Sequence, residues 1–155
     1  METIILMGPV GAGKSTQAEL LSKKSGQPRC SYDEVKAGYL KELGFDKKSA
    51  LAIEEKQGEY ALFCHMNNYR YQTLRKVIEE HPGYIIDLGG GIHCYNEAHQ
   101  VESTRELFHP IDEIFYLLPS DDLATNINAL PGFKEGFAIN TYIMMHPTNT
   151  LYTKK

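Results

Sequence analysis

Eight consecutive residues, Gly8-Pro9-Val10-Gly11-Ala12-Gly13-Lys14-Ser15, constrain this chain more than any other feature in it. They match G-x-x-x-x-G-K-[ST] at every fixed position. That pattern has a meaning only where a strand precedes it and a helix follows, and both are legible here. Thr3-Ile4-Ile5-Leu6-Met7 is a short, branched apolar run of the kind that forms a strand buried on both faces. A helix is expected to start near Lys14 and to carry Ala18, Leu20 and Leu21 inward. Lys23 and Lys24 suit its C-terminal end, Gly26 can cap it, and Pro28 forbids its continuation.

Each position in the loop has a physical task. Gly8, Gly11 and Gly13 let the backbone turn its amides inward, with Ala12 small enough to join them. The helix beginning at Lys14 adds the positive end of its dipole. The Lys14 ammonium reaches the β- and γ-phosphates of a nucleotide as a point charge. The Ser15 hydroxyl is a hard oxygen ligand for Mg²⁺, and Thr16 is placed for the α-phosphate. No T-K-x-D guanine motif occurs, which points to ATP.

The rest of the chain alternates strands and helices. A weak strand is expected at Arg29-Cys30-Ser31, then a helix that begins around Asp33 and ends near Gly44. Residues 47–81 read as helical, with Leu62, Met66, Tyr69, Thr73 and Val77 in phase and Gly58 as a divider. Tyr84-Ile85-Ile86-Asp87-Leu88 is a second buried strand and runs into Gly89-Gly90-Gly91. A helix from about Asn96 to Phe108 leads to a third strand at Ile114-Phe115-Tyr116-Leu117-Leu118. Beyond Pro119 the pattern gives a helix after Ser120, a loop at Pro131-Gly132 and an apolar helix through Ile139, Ile143 and Met144. Thr148 to Lys155 is either an edge strand or leaves the sheet a strand short. The expectation is one three-layer α/β domain over residues 1–155, a P-loop NTPase fold with a parallel sheet of four to five strands and helices on both faces.

Composition narrows the function classes. With 42% hydrophobic and 23% charged residues, the chain is an ordinary globular one rather than disordered or fibrous. A net charge of -4 argues against nucleic-acid backbone binding. No apolar stretch is long enough for a membrane span, and Met1-Glu2-Thr3 leads straight into the first strand with no basic leader. Cys30, Cys64 and Cys94 form no C-x-x-C, and His93, Cys94 and His99 fit no common zinc spacing. A reduced, cytoplasmic setting is expected, with no membrane or nucleic-acid partner and a monomer or weak homodimer as the state.

Three pieces of the chain resemble the shikimate kinase family and related small-molecule P-loop kinases: residues 8–16, Asp33 with its following helix, and Ile85-Ile86-Asp87-Leu88-Gly89-Gly90-Gly91. The resemblance implies transfer of the γ-phosphoryl group of Mg·ATP to a hydroxyl of a small molecule. It implies Lys14 and Asp33 as catalytic residues, with Asp33 orienting and deprotonating the acceptor hydroxyl; an aspartate at a helix start also serves simply as an N-cap. It implies Gly89, Gly90 and Gly91 as an acceptor-side loop, a helical substrate region over about 33–81 and a lid over about 120–137. The family's magnesium-side aspartate falls at Ser31 here; Asp87, ending its strand as a Walker-B-type acid does, is the candidate that compensates, or else an acid capping the glycine turn.

The acceptor side departs from that pattern. The only arginines are Arg29, Arg70, Arg75 and Arg105, and the lid region has Lys134 as its sole cation. Guanidinium is the usual fork for carboxylate and phosphate, so shikimate itself is not the expected acceptor. Arg70 is the candidate that reaches the pocket from the long helix. Two alternatives stay open: a nucleotide-binding protein with little or no transferase activity, and a nucleoside or nucleotide kinase.

Overall fold

A computed structural model describes residues 1–92, 95, 97–111, 113–118, 120 and 152–153. The elements are β1 (Ile4–Met7), α1 (Lys14–Ser25), β2 (Arg29–Ser31), α2 (Tyr32–Glu42), α3 (Lys47–Gln57), α4 (Glu59–Glu80), β3 (Ile85–Asp87), α5 (Ala98–Phe108), β4 (Glu113–Leu118) and β5 (Tyr152–Thr153). Among the described residues every strand pair is parallel, in the order β2-β3-β1-β4-β5. Parallel neighbours need long crossovers. Here α1, the α2–α4 block and α5 supply them.

Period-two alternation along β1 explains the layers. Ile5 and Met7 point to one face, where they pack with Leu74, Val77 and Ile78 of α4, Phe108 of α5, and Ile114 and Tyr116 of β4. Ile4 and Leu6 point to the other, against Ala18 and Leu21 of α1. The sheet therefore has helices on both faces, as expected. The tail does form an edge strand, since Leu117 pairs with Tyr152 and Leu118 with Thr153.

Two details of the sequence reading are corrected. Leu20 does not turn inward but is 55% exposed. At about 100° per residue it lies some 200° round the helix from Ala18, which is fully buried, so the inward stripe is Ala18 and Leu21. Along α4 the most buried positions are Asn67, Thr73, Leu74, Val77 and Ile78, while Leu62, Met66 and Tyr69 are only half-buried. Gly58 does divide the helical segment, at φ 86°. Asp46, unremarked in the sequence, caps α3 by accepting from the amides of Lys48 and Ser49.

The 121–137 part of the expected lid with its Lys134, the apolar helix through Ile139, and His93 and Cys94 lie outside the described residues. Among the described residues no helix is long and apolar enough to cross a membrane.

Gly8 fixes how the first loop leaves the sheet. Its φ is 139°, and a Cβ there would lie 2.4 Å from the Leu117 carbonyl oxygen of β4. Backbone cannot yield as a flexible side chain would. Gly8→Ala is expected to cost roughly 2–6 kcal/mol, combining a strained φ with an overpacked contact. Gly38, inside α2 with nothing within 4 Å of its would-be Cβ, gives the control: Gly38→Ala is expected to gain about 0.5–1 kcal/mol. Urea unfolding midpoints of the two variants test the pair.

Candidate functional site

The C-terminal ends of β1, β2 and β3, three adjacent parallel strands, deliver three segments to one edge of the sheet. β1 releases the glycine-rich loop, β2 releases Asp33, and β3 releases the triple glycine. The connection from β1 runs to one side of the sheet and that from β3 to the other, so this edge is a topological switch point, where open α/β sheets form their ligand crevice.

The glycine-rich loop is wound as its sequence predicts. Gly11 and Gly13 both have φ 85°, and the Ala12 amide closes the turn onto the Pro9 carbonyl at 3.2 Å. Gly13 is the N-cap of α1 and has no side chain to cap with. The first bond back to the cap runs from the Gln17 amide to the Gly13 carbonyl. The amides of Lys14, Ser15 and Thr16 thus begin the helix with no intrahelical acceptor, which is the property that makes a helix N-terminus hold an anion. Lys14 is buried, and its ammonium donates to the Gly8 and Pro9 carbonyls, each at 2.8 Å. Burial pushes its pKa down, while the carboxylates of Asp33 and Asp87 push it back up. The side chains of Ser15 and Thr16 face solvent.

Asp33 is the second residue of α2, and the N-cap position belongs to Ser31. The plain capping role considered for Asp33 is therefore not the one it has. Its side chain is 62% exposed, and its Oδ1 accepts from the Lys36 ammonium at 2.6 Å. Lys36 was not singled out in the sequence, although an acid followed three residues later by a lysine on a helix was the available signal.

Asp87 is 3% exposed. The Ser31 hydroxyl donates to its Oδ1 at 2.8 Å, because the β2–β3 register sets Ser31 directly beside Asp87. Its Oδ2 is buried and has no hydrogen-bond partner among the described residues. Burial raises the Asp87 pKa, with the Ser31 hydrogen bond and the Arg29 charge acting against that rise. The carboxylate faces Ser31 across the sheet, and no bond to a glycine-turn amide supports the turn-capping alternative. A buried carboxylate oxygen without a donor is poised to receive one, from water or from a hydrated cation.

The triple glycine is wedged between the other two segments. A Cβ on Gly89 would lie 3.2 Å from Asp33 Oδ1 and 3.4 Å from the Tyr32 ring. A Cβ on Gly90 would lie 2.7 Å from Val10 Cγ2 and 3.1 Å from the Val10 amide nitrogen, on the phosphate-type loop itself. Gly91, at φ 76°, presents its carbonyl to Arg70 Nη2. Arg70 also donates from Nη1 to Asn67 Oδ1 at 3.3 Å, and its guanidinium carbon lies 5.2 Å from the Phe63 ring centroid. The structure thus brings the loop, Asp33, the triple glycine and Arg70 to one place, together with Lys36 and Asn67, which the sequence alone does not single out. Cys30 is buried, and burial pushes its thiol up to about 11, which removes it as a nucleophile.

Two solved kinases share this architecture. A shikimate kinase from Acinetobacter baumannii in complex with shikimate superimposes with a TM-score of 0.51 at 21% identity, over 83% of this chain and 61% of that one. A shikimate kinase from Bacteroides thetaiotaomicron gives 0.51 at 20% identity, over 79% of this chain and 60% of that one. The chain spans about three fifths of the length of these two kinases. No family model and no curated sequence matches it. At these identities the likeness establishes the fold, the α/β fold of P-loop kinases.

Proposed function

We propose that this chain is a phosphotransferase that moves the γ-phosphoryl group of Mg·ATP to a hydroxyl of a small molecule. The observation that carries the reading is the contact of three segments from three strands. Gly90 backs onto Val10 of the glycine-rich loop, and Gly89 lies beneath Asp33. A donor phosphate on the loop and an acceptor beside Asp33 are then neighbours across one glycine turn.

On this reading the amides of residues 11–16 and the Lys14 ammonium hold the triphosphate. Lys14 exchanges its two carbonyl acceptors, Gly8 and Pro9, for phosphate oxygens. The residues present fit a magnesium ion: Ser15 offers a hydroxyl at the start of α1, and the unpartnered Asp87 Oδ2 can accept from an ion-bound water. Bound there, magnesium would neutralise charge on the β- and γ-phosphates. Asp33 releases Lys36, accepts a hydrogen bond from the acceptor hydroxyl, and takes its proton as the oxygen attacks the γ-phosphorus and the bond from that phosphorus to the bridging oxygen breaks, with ADP as the leaving group. Gly89 and Gly90 let the turn pack directly against Asp33 and Val10, which brings the acceptor side up to the loop, and Arg70 stands at the far end of that turn. Positioning and charge stabilisation supply most of the rate in such a reaction.

One observation favours a second reading, a nucleotide-binding protein without efficient transfer: the carboxylate that would serve as base is already paired with Lys36 at 2.6 Å. An ATP-consumption screen against polyols, sugar acids, shikimate and nucleosides separates the two. Turnover that depends on one acceptor class supports the transferase. Tight Mg·ATP binding with no turnover for any acceptor supports the second reading.

The buried acid gives a further test with a sign. A carboxyl whose folded pKa is raised contributes stability that is fully present below its unfolded pKa and is lost as pH rises through the folded value. Ionised Asp87 therefore strains the ligand-free fold at neutral pH. Asp87→Asn is expected to raise the ligand-free melting temperature at pH 7 by about 2–4 °C, for a cost on the order of 1 kcal/mol relieved. That gain shrinks as the pH is lowered toward the ordinary carboxylate range. The same variant is expected to lose the magnesium dependence of nucleotide binding. Calorimetric melts from pH 4 to 8 check the first part, and titrations with and without magnesium check the second.

A further inference from the structure

We propose that Arg70 is a positioning residue that locks the triple-glycine turn against the phosphate loop, so that helix α4 sets the geometry of the nucleotide site. The proposal rests on the preceding reading for what that loop binds.

The physical path is short and continuous. Arg70 Nη2 donates to the Gly91 carbonyl. Its Nη1 is steadied by Asn67, which is 1% exposed and so has little freedom of its own. The Phe63 ring flanks the guanidinium at 5.2 Å. Two contacts from the same helix, Asn67 and Phe63, thus hold the donor that fixes Gly91. The turn it fixes is tight, closed by the Ile92 amide on the Gly89 carbonyl at 3.3 Å. One residue earlier, Gly90 abuts Val10 so closely that even a methyl group would collide with the Val10 side chain and amide. Val10 is itself 65% exposed, and the glycine turn covers part of the remainder. A turn pinned at Gly91 and pressed on Val10 at Gly90 passes any displacement of α4 to the loop. Two ligands that share such an element are coupled, and the coupling is reciprocal.

An arginine that only touched the acceptor would leave nucleotide affinity unchanged when no acceptor is present. The positioning role predicts otherwise. Arg70→Gln keeps a polar side chain but loses the reach and the charge. It is expected to weaken binding of a non-hydrolysable Mg·ATP analogue about 5–20-fold, a typical coupling factor. Arg70→Lys retains a charged donor to the Gly91 carbonyl and is expected to stay within about twofold of wild type. In ligand-free protein, amide hydrogen exchange is expected to rise at residues 10–12 as well as at 89–92 in Arg70→Gln, with the rest of the sheet unchanged. Val10→Ala tests the same path from the other end, because it removes the Cγ2 that Gly90 packs against. It is expected to speed exchange at residues 89–91 without lowering the melting temperature. The proposal is overturned if Arg70→Gln, folded as judged by its melt, matches wild type in both analogue affinity and exchange at residues 10–12. It is also overturned if Val10→Ala leaves the glycine turn unaltered. Failure of the wild type to bind the analogue at all would instead remove the nucleotide reading, while the exchange measurements would still decide the role of Arg70.

Discussion

Asp33→Asn is expected to lower phosphoryl transfer by about 10²–10⁴-fold while leaving Mg·ATP affinity within about twofold. The amide has the shape of the carboxylate and can still accept from Lys36, which lies 2.6 Å from Asp33 Oδ1. It cannot take a proton from the acceptor hydroxyl. The side chain is 62% exposed, so fold stability has little stake in it and the loss is one of chemistry. The measurement is kcat with the best acceptor from the screen, beside a nucleotide titration of the same preparation. Normal turnover in the variant would remove Asp33 as base.

Lys14→Ala is the second large effect. The variant is expected to lose about 10²–10⁴-fold in nucleotide affinity, since an ammonium shared between two phosphates makes charge-assisted bonds of about 1.5–3 kcal/mol each. It also takes the cation away from Asp33 and Asp87, both of which act on Lys14 electrostatically. Their fields then meet incoming phosphate unopposed. In a thermal-shift assay the wild type is expected to gain several degrees with saturating Mg·ATP and the variant none. Equal stabilisation of the two would contradict the role given to this lysine.

Local signals carry most of the fold and the candidate groups that it gathers at one sheet edge. The glycine-rich loop was legible because its task is written into one continuous stretch, with a β-branched strand before it and Ala18 and Leu21 after it. The parallel sheet followed from the alternation of strands and helices, and its switch point then brought Asp33 and the triple glycine to the loop. What stayed hidden depends on register and on side chains from distant elements. Ser31 and Asp87 are 56 positions apart, and nothing local says that β2, only three residues long, would align them. Asn67 reads as an ordinary polar residue on a long helix until Arg70 is seen leaning on it. Leu20 is as apolar as Leu21 but sits on the outer face of α1, which composition alone does not show. Its neighbours Ala18 and Leu21 already fill the inward stripe.

The likeness to the two shikimate kinases covers the fold. Arg70 is engaged with the Gly91 carbonyl, and Asp87 takes a place across from Ser31.

The most direct measurement is an amide chemical-shift map of the wild-type chain titrated with Mg·ATP. The account predicts saturable shifts that are largest at residues 11–16, with smaller ones at 89–91 transmitted through Val10. A map that stays unchanged at millimolar nucleotide, or whose largest shifts fall away from the strand ends that carry this loop, would contradict it.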